Sequence, residues 1–177
     1  NVNQVGIREV PPIIKEEAEK ENIPNGFGGW LILLSIIIVI IPIRNLFILL
    51  PVYAPLIFDG FLIGVFERGS EIYDPPLGLL ITFEIFGNIG LLVLNVIVLK
   101  KFFGKNYLFK KYFIINSIAA LCFILLDLIF AQAIPITAGL EYEDIQPLFR
   151  QFIFCCIWVP YVSVSKRVKN TFVRGLA

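Results

Sequence analysis

Long apolar stretches alternate with short charged segments along the chain, and this pattern predicts the fold. A transmembrane α-helix needs roughly 20 apolar residues. Four stretches meet this length, at residues 27–50, 76–99, 112–133 and 148–164. The pattern predicts an all-α polytopic membrane protein: a bundle of four transmembrane helices over residues 26–174, preceded by a polar juxtamembrane linker at residues 1–25.

Residues 52–66 are apolar but interrupted by Pro55, Asp59 and Gly60. Short broken runs of this kind lie in the membrane interface or re-enter the membrane more often than they cross it. We therefore predict an interfacial or re-entrant segment between spans one and two. The alternative is a fifth span over residues 46–66, which would place the N-terminus outside.

Charged residues differ between the predicted connections: the segments after spans two and four are basic, and those after spans one and three are mainly acidic. Because positively charged loops stay in the cytoplasm, four spans predict that both termini are cytoplasmic. Topology accounts for the lysines, so nucleic acid is not a predicted partner. The basic residues are Lys100, Lys101, Lys105, Lys110, Lys111, Lys166, Arg167, Lys169 and Arg174, and the acidic residues of the other two connections are Asp59, Glu67, Glu71, Asp74, Glu141, Glu143 and Asp144.

Composition agrees with a membrane protein and offers little chemistry. The 177 residues are 58% hydrophobic and 16% charged, a balance that soluble domains of this size do not have. Histidine is absent, and Cys122, Cys155 and Cys156 lie inside predicted spans without a CxxC motif, so we predict no metal and no cofactor. Methionine is also absent, even at position 1, which indicates a processed form or a piece of a longer chain.

The second span carries polar residues on one side. At 100° per residue, Glu84, Asn88 and Asn95 fall within about 40° of one another. One helical face therefore brings a carboxyl group and two amides into the bilayer. We expect that face to point at protein and not at lipid.

Ionisable residues inside the predicted spans fall at one depth. Counted from the predicted span ends, they lie in the outer half of the bilayer within roughly one 12 Å layer. Charges at this depth cost about 2.5 to 3.5 kcal/mol each, so we predict that the arginines bridge the carboxylates or, alternatively, extend to the outer headgroups. The predicted buried network consists of Arg44, Glu84, Asn88, Asn116, Asp127 and Arg150.

Two functions are compatible with this network. A structural clamp that sets helix register is favoured by the charge balance of the layer and by the lack of histidine, and it predicts a non-enzymatic scaffold or accessory subunit. The alternative is a small transporter or a solute- or ion-binding protein that uses Glu84 and Asp127. Catalysis is not predicted, because GxSxG and HExxH motifs are absent and so is histidine, the commonest general base.

Aromatic and basic residues near the predicted inner ends of the spans are candidate membrane anchors. Trp and Tyr rings favour the boundary between headgroups and acyl chains. Each Lys or Arg near an anionic membrane surface contributes about 1 kcal/mol. The predicted anchors are Trp30, Trp158, Tyr161, Lys166, Arg167 and Lys169.

Several of these residues belong to short motifs. A GGWL sequence opens span one at residues 28–31, and WxPY at 158–161 and SKRVKxTF at 165–172 close the chain. With these motifs, residues 26–174 resemble a family of small bacterial inner-membrane proteins catalogued as a domain of unknown function. The resemblance implies a four-helix protein of the bacterial cytoplasmic membrane, found alone or attached to other domains. The expected partners are the lipid bilayer and either other membrane-protein subunits or a domain fused upstream.

Overall fold

The computed structural model describes residues 26, 28–135, 139 and 141–175. The predicted linker at residues 1–25 lies outside the described residues. Within them the chain is all-α, and four helices are long and apolar enough to cross a membrane, which confirms the predicted fold class. The helices are α1 (Trp30–Phe58), α2 (Phe61–Gly64), α3 (Pro75–Phe103), α4 (Phe109–Gln132), α5 (Tyr142–Val164) and α6 (Lys166–Thr171).

The first long helix extends farther than the hydrophobic pattern predicts. α1 continues through Pro51 and Pro55 to Phe58, and so takes up the first half of the predicted interfacial segment. Gly60, at a left-handed φ of 77°, turns the chain into the one-turn helix α2. The described residues contain no fifth crossing: the Thr171 hydroxyl donates to the carbonyl of Gly26 at 3.3 Å, which puts the start of α1 and the C-terminal segment at one end of the bundle.

Capping side chains set the helix starts at the opposite end. Asp74 accepts a hydrogen bond from the Leu77 amide at 3.1 Å, and prolines occupy the first two positions of α3, where their missing N–H groups cost nothing. Glu141 and Asp144 form a reciprocal capping box at the start of α5. Acidic residues thus cap both helices that begin at this end, which we call the acidic end.

The core lies at the other end, called the basic end because the lysine-rich connection and α6 lie there. All four long helices and the C-terminal segment converge on it. The Phe102 ring lies 5.1 Å from Phe109 and 5.3 Å from Phe172, measured between ring centroids. Its buried residues are Leu31, Leu34, Ile38, Val98, Phe102, Phe109, Phe113, Trp158, Val162, Val168 and Phe172.

The C-terminal segment is tied to the connection between α3 and α4. The Tyr107 amide donates to the carbonyl of Arg174, and the Arg174 amide donates to the carbonyl of Lys105, both at 3.1 Å. Lys110 donates through its Nζ to the carbonyl of Ser163 at 2.9 Å. These bonds close the basic end.

The long helices pack in chain order. α1 packs on α3, α3 on α4 and α4 on α5, whereas α1 and α5 do not pack along their length. They meet near the basic end, where Trp30 and Trp158 lie edge to face at 6.1 Å. The bundle is therefore closed at its basic end, whereas α1 and α5 lack close backbone packing between that end and the acidic end.

Candidate polar cavity

A cavity of about 450 Å³ lies between the four long helices. Each helix contributes polar side chains, and none of the described lining residues is acidic. Apolar residues such as Ile37, Ile41 and Phe154 complete the wall. The polar lining residues are Arg44, Asn45, Asn88, Asn95, Asn116, Ser117, Arg150 and Gln151.

Two asparagines join α3 and α4 where these helices line the cavity. Asn116 donates through Nδ2 to Oδ1 of Asn95 at 3.2 Å, and Asn95 donates back to the carbonyl of Leu91, one turn earlier on its own helix, at 2.9 Å. Asn116 Oδ1 is buried and has no hydrogen-bond partner among the described residues. A buried acceptor without a partner is costly, so this amide is a point at which a polar ligand or a water molecule gains a bond.

Side-chain bonds also position α5 against α4. Gln151 donates through Nε2 to the carbonyl of Ser117 at 3.0 Å, and the Cys155 thiol lies 3.4 Å from the same oxygen. The Ser117 hydroxyl donates to the carbonyl of Phe113 at 2.8 Å, inside its own helix. The bond from Gln151 to Ser117 fixes this part of α5 against α4, and the adjacent residue Arg150 lines the cavity.

Within the part of the chain that the structure describes, the two arginines have no acidic partner. Arg44 donates to Oδ1 of Asn45 at 3.1 Å, and no ion pair joins Arg44 or Arg150 to a carboxylate among the described residues. Both arginine side chains are exposed in the isolated protein, without lipid or ligand. A guanidinium at this depth costs about 2.5 to 3.5 kcal/mol on insertion scales. Two cations thus face the cavity without a counter-ion from the described part of the protein.

The carboxylates lie elsewhere. Tyr53 donates through its hydroxyl to Oε2 of Glu84 at 3.1 Å, and Asn88 donates to the Tyr53 oxygen at 3.2 Å and to the Glu84 carbonyl at 2.9 Å. Asp127 is half-buried, and its Oδ1 has no hydrogen-bond partner among the described residues. Neither Glu84 nor Asp127 lines the cavity.

The predicted bridging of carboxylates by arginines is therefore absent from the described residues, and the reason is their depth. The prediction counted Arg44 from a span ending near residue 50, whereas α1 ends at Phe58. Tyr53, the partner of Glu84, lies about 13 Å farther along α1 than Arg44 at a rise of about 1.5 Å per residue. The single charged layer is in fact two levels: arginines and amides nearer the basic end, and carboxylates nearer the acidic end.

The polar residues of the second span divide between these levels. Glu84 bonds to Tyr53 on α1, Asn95 bonds to Asn116 on α4, and Asn88 contacts Tyr53 while also lining the cavity. Tyr53 was missed at the sequence level because it lies in the segment predicted as interfacial. Asn45 and Gln151 were also missed; each directly follows a predicted arginine, and that adjacency was the available signal.

The predicted membrane anchors all lie at the basic end but differ in exposure. Trp30 is 63% exposed, whereas Trp158 is only 5% exposed and belongs to the core, where its ring lies 5.8 Å from that of Tyr161. Trp158 thus differs from the prediction, because the start of α1 packs over it. Lys166 and Lys169 are exposed, and Arg167 packs over Gly28, where any larger residue would meet its guanidinium.

A family model described as "Protein of unknown function (DUF2569)" matches residues 24–173. The match contains all four long helices and every polar residue of the cavity. No curated protein and no solved structure matches the chain.

Proposed function

The chain belongs to this family of proteins of unknown function, and from its structure we propose that it is a non-enzymatic membrane protein that binds an anion within the bilayer, in the cavity between α1, α3, α4 and α5. The observation that carries the proposal is the placement of Arg44 and Arg150 at a cavity whose described lining contains no acid.

Electrostatics supports an anionic ligand. Inside a low-dielectric medium an unpaired charge is expensive, and a counter-ion offsets much of that expense. Guanidinium groups match the geometry of carboxylate and phosphate oxygens, to which they donate paired hydrogen bonds. Amide groups of Asn45, Asn95 and Asn116 line the same cavity, and each keeps an N–H that donates to no other described residue and so is available as a further donor.

The cavity also favours ligand binding over the scaffold predicted from the sequence. The scaffold prediction depended on a layer in which the arginines neutralise Glu84 and Asp127, and that pairing is not found among the described residues. The cavity reaches Asn88, one turn from Glu84, but not Glu84 itself. The proposed ligand is therefore an anion at the arginines, and not a solute or ion at Glu84 and Asp127.

The proposed setting is the bacterial cytoplasmic membrane, with the basic end in the cytoplasm. Its support is the charge of the connections between the long helices: the one at the basic end is rich in lysine, whereas aspartates and glutamates outnumber Arg68 in those at the acidic end, which is the charge distribution of cytoplasmic and external loops. The surrounding lipid is then the partner of the four long helices.

Binding of a matched pair of amphiphiles tests the proposal. The protein, purified in an uncharged maltoside detergent, is heated with octyl phosphate or with octyltrimethylammonium, and unfolding is followed by tryptophan fluorescence. We expect octyl phosphate alone to raise the Tm, since a ligand at 100 times its Kd stabilises by about 2.7 kcal/mol. The double variant Arg44→Gln/Arg150→Gln should lose this shift.

The control is Arg68→Gln, which removes an exposed arginine from the connection between α2 and α3, outside the cavity. It should keep the full shift. Equal stabilisation by the cationic amphiphile, or an undiminished shift in the folded double variant, would contradict anion binding in the cavity.

A further inference from the structure

The two arginines stand on the two long helices that do not pack together. Arg44 is on α1 and Arg150 on α5, whereas α3 and α4 form the packed wall behind the cavity. The side of the bundle between α1 and α5 is closed at the basic end by Trp30 and Trp158. The charged part of the cavity therefore lies where α1 and α5 lack close backbone packing, a region that we call the lateral gap.

Access from water is less favourable at either end. Toward the basic end, the buried rings of Phe102, Phe109 and Trp158 fill the space between the helices. Toward the acidic end, an incoming anion passes the level of Glu84 and Asp127 and the exposed acidic residues that begin α5. Like charges lower the local concentration of an approaching ligand. The lateral gap presents neither barrier.

The rest of the lining suits a hydrocarbon chain. Ile37 and Ile41 on α1 and Phe154 on α5 line the cavity toward the basic end, beside the arginines. A chain that extends from the arginines through the gap would meet these residues and then acyl chains, so none of its length would need to enter water. The cavity itself, at about 450 Å³, lies within the usual range of small-molecule sites, about 300 to 1,000 Å³.

From this geometry we infer that the ligand is a membrane amphiphile with a phosphate or carboxylate head, and that it enters from the bilayer through the gap between α1 and α5. The inference rests on the proposed function and adds the source and class of the anion. The head lies between Arg44 and Arg150, and the chain leaves between the two helices.

Photolabelling in a bilayer tests the route. The full chain is placed in nanodiscs of phosphatidylcholine with dodecyl phosphate that carries a diazirine in its chain, and labelled peptides are mapped by mass spectrometry. We expect labels on the lining residues Ile37, Ile41 and Phe154, and about a tenfold or greater loss of these labels in Arg44→Gln/Arg150→Gln, as charge-assisted hydrogen bonds imply. Background labelling at Phe86, which is 71% exposed on α3, should not change.

Competition separates the two possible sources of the anion. Excess octyl phosphate should remove the specific labels, and inorganic phosphate at the same concentration should not. If inorganic phosphate competes equally well, the anion comes from water and the lateral route is wrong, while anion binding at the arginines stands. If neither anion competes and neither raises the Tm, the proposed function itself fails.

A second variant tests the route with both arginines in place. Ile41→Trp adds bulk to the α1 wall of the cavity. Provided that the variant remains monodisperse and keeps its unfolding transition, labelling of Phe154 should fall severalfold while labelling of Phe86 stays constant. Undiminished labelling of Phe154 would overturn the proposed path of the chain.

Discussion

The α3–α4 side of the bundle and the α1–α5 side are built from helices of similar length, but only the first is packed from end to end. Along α3 and α4, Phe102 meets Phe109 at the basic end, Asn95 meets Asn116 in the middle, and Phe83 meets Phe130 near the acidic end. Among the described rings, α1 and α5 meet at the Trp30–Trp158 pair, at the basic end.

The difference follows from small residues and from charge. Lipid provides little hydrophobic drive for helix association, so packing depends on close backbone approach and on polar contacts across the helices. α3 contains Gly78, Gly87 and Gly90, and a Cβ at Gly87 would fall on the ring of Phe123. α1 and α5 contain no glycine, and each carries an arginine at the cavity. The closely packed α3–α4 interface, which we call the seam, thus contrasts with the lateral gap between α1 and α5.

The largest expected effect lies where the seam meets the core. Phe102→Ala removes a fully buried ring that contacts Phe109 and Phe172, and should lower the free energy of unfolding by about 3 to 5 kcal/mol. Unfolding is measured by SDS titration in mixed micelles. Phe86→Ala, the same change at a ring exposed to lipid, should cost less than about 1 kcal/mol. Equal losses would mean that the basic end is no better packed than the lipid-facing surface.

Two glycines of one helix test the seam itself. Gly87→Ala places a methyl group against Phe123 and should destabilise by about 1 to 3 kcal/mol through overpacking. Gly90→Ala enters open space and should be neutral or stabilise by up to about 1 kcal/mol, because alanine favours helix. The same SDS titration compares them. A loss at Gly90 as large as that at Gly87 would mean that the loss does not come from close packing against Phe123.

Tyr53 joins the part of α1 nearest the acidic end to α3. Tyr53→Phe removes the hydroxyl that donates to Glu84 and accepts from Asn88, and should cost about 1 kcal/mol. Tyr142→Phe, at an exposed position that begins α5, is the matched control and should be neutral. Thermal unfolding in detergent reads out both. Should the two variants unfold alike, α1 would be attached to α3 by apolar packing alone.

The smallest effect concerns the amide pair between α3 and α4. A double-mutant cycle of Asn95→Ala and Asn116→Ala should give a coupling energy of about 0.6 kcal/mol, the average for hydrogen bonds between membrane helices. The control cycle pairs Asn95→Ala with Asn170→Ala, at an exposed position of α6, and should be additive. Additivity in both cycles would remove the amide bond as a contributor to the seam.

Most of the fold was predictable from residues alone. Blocks of apolar residues place all four membrane helices, because a bilayer requires that length of hydrocarbon surface. The main difference is the end of α1: prolines at positions 51 and 55 and the polar Asp59 suggested a broken segment, yet α1 continues to Phe58. Prolines are tolerated in membrane helices when neighbouring groups satisfy the released carbonyls.

The candidate site was predictable only in part: four of the six residues of the predicted network line one cavity, and the predicted ion pairs are not found among the described residues. Arg44, Asn88, Asn116 and Arg150 do meet at one cavity. Glu84 and Asp127 do not join them: α1 extends about two helical turns past its predicted end, so Tyr53 and not Arg44 lies at the level of Glu84. Counting residues from helix ends cannot reveal such a shift, since it depends on how the helices are staggered.

Local chemistry therefore determined which segments cross the membrane, which residues cap the helices and which end of the bundle is basic, since each depends on composition within a short window. Tertiary structure alone decided that α3 and α4 pack tightly, that α1 and α5 lack close packing, and that the arginines face a cavity whose described lining contains no acid. Those outcomes depend on the relative height and rotation of helices that are distant in the chain, and interhelical contacts, not local preferences, set both.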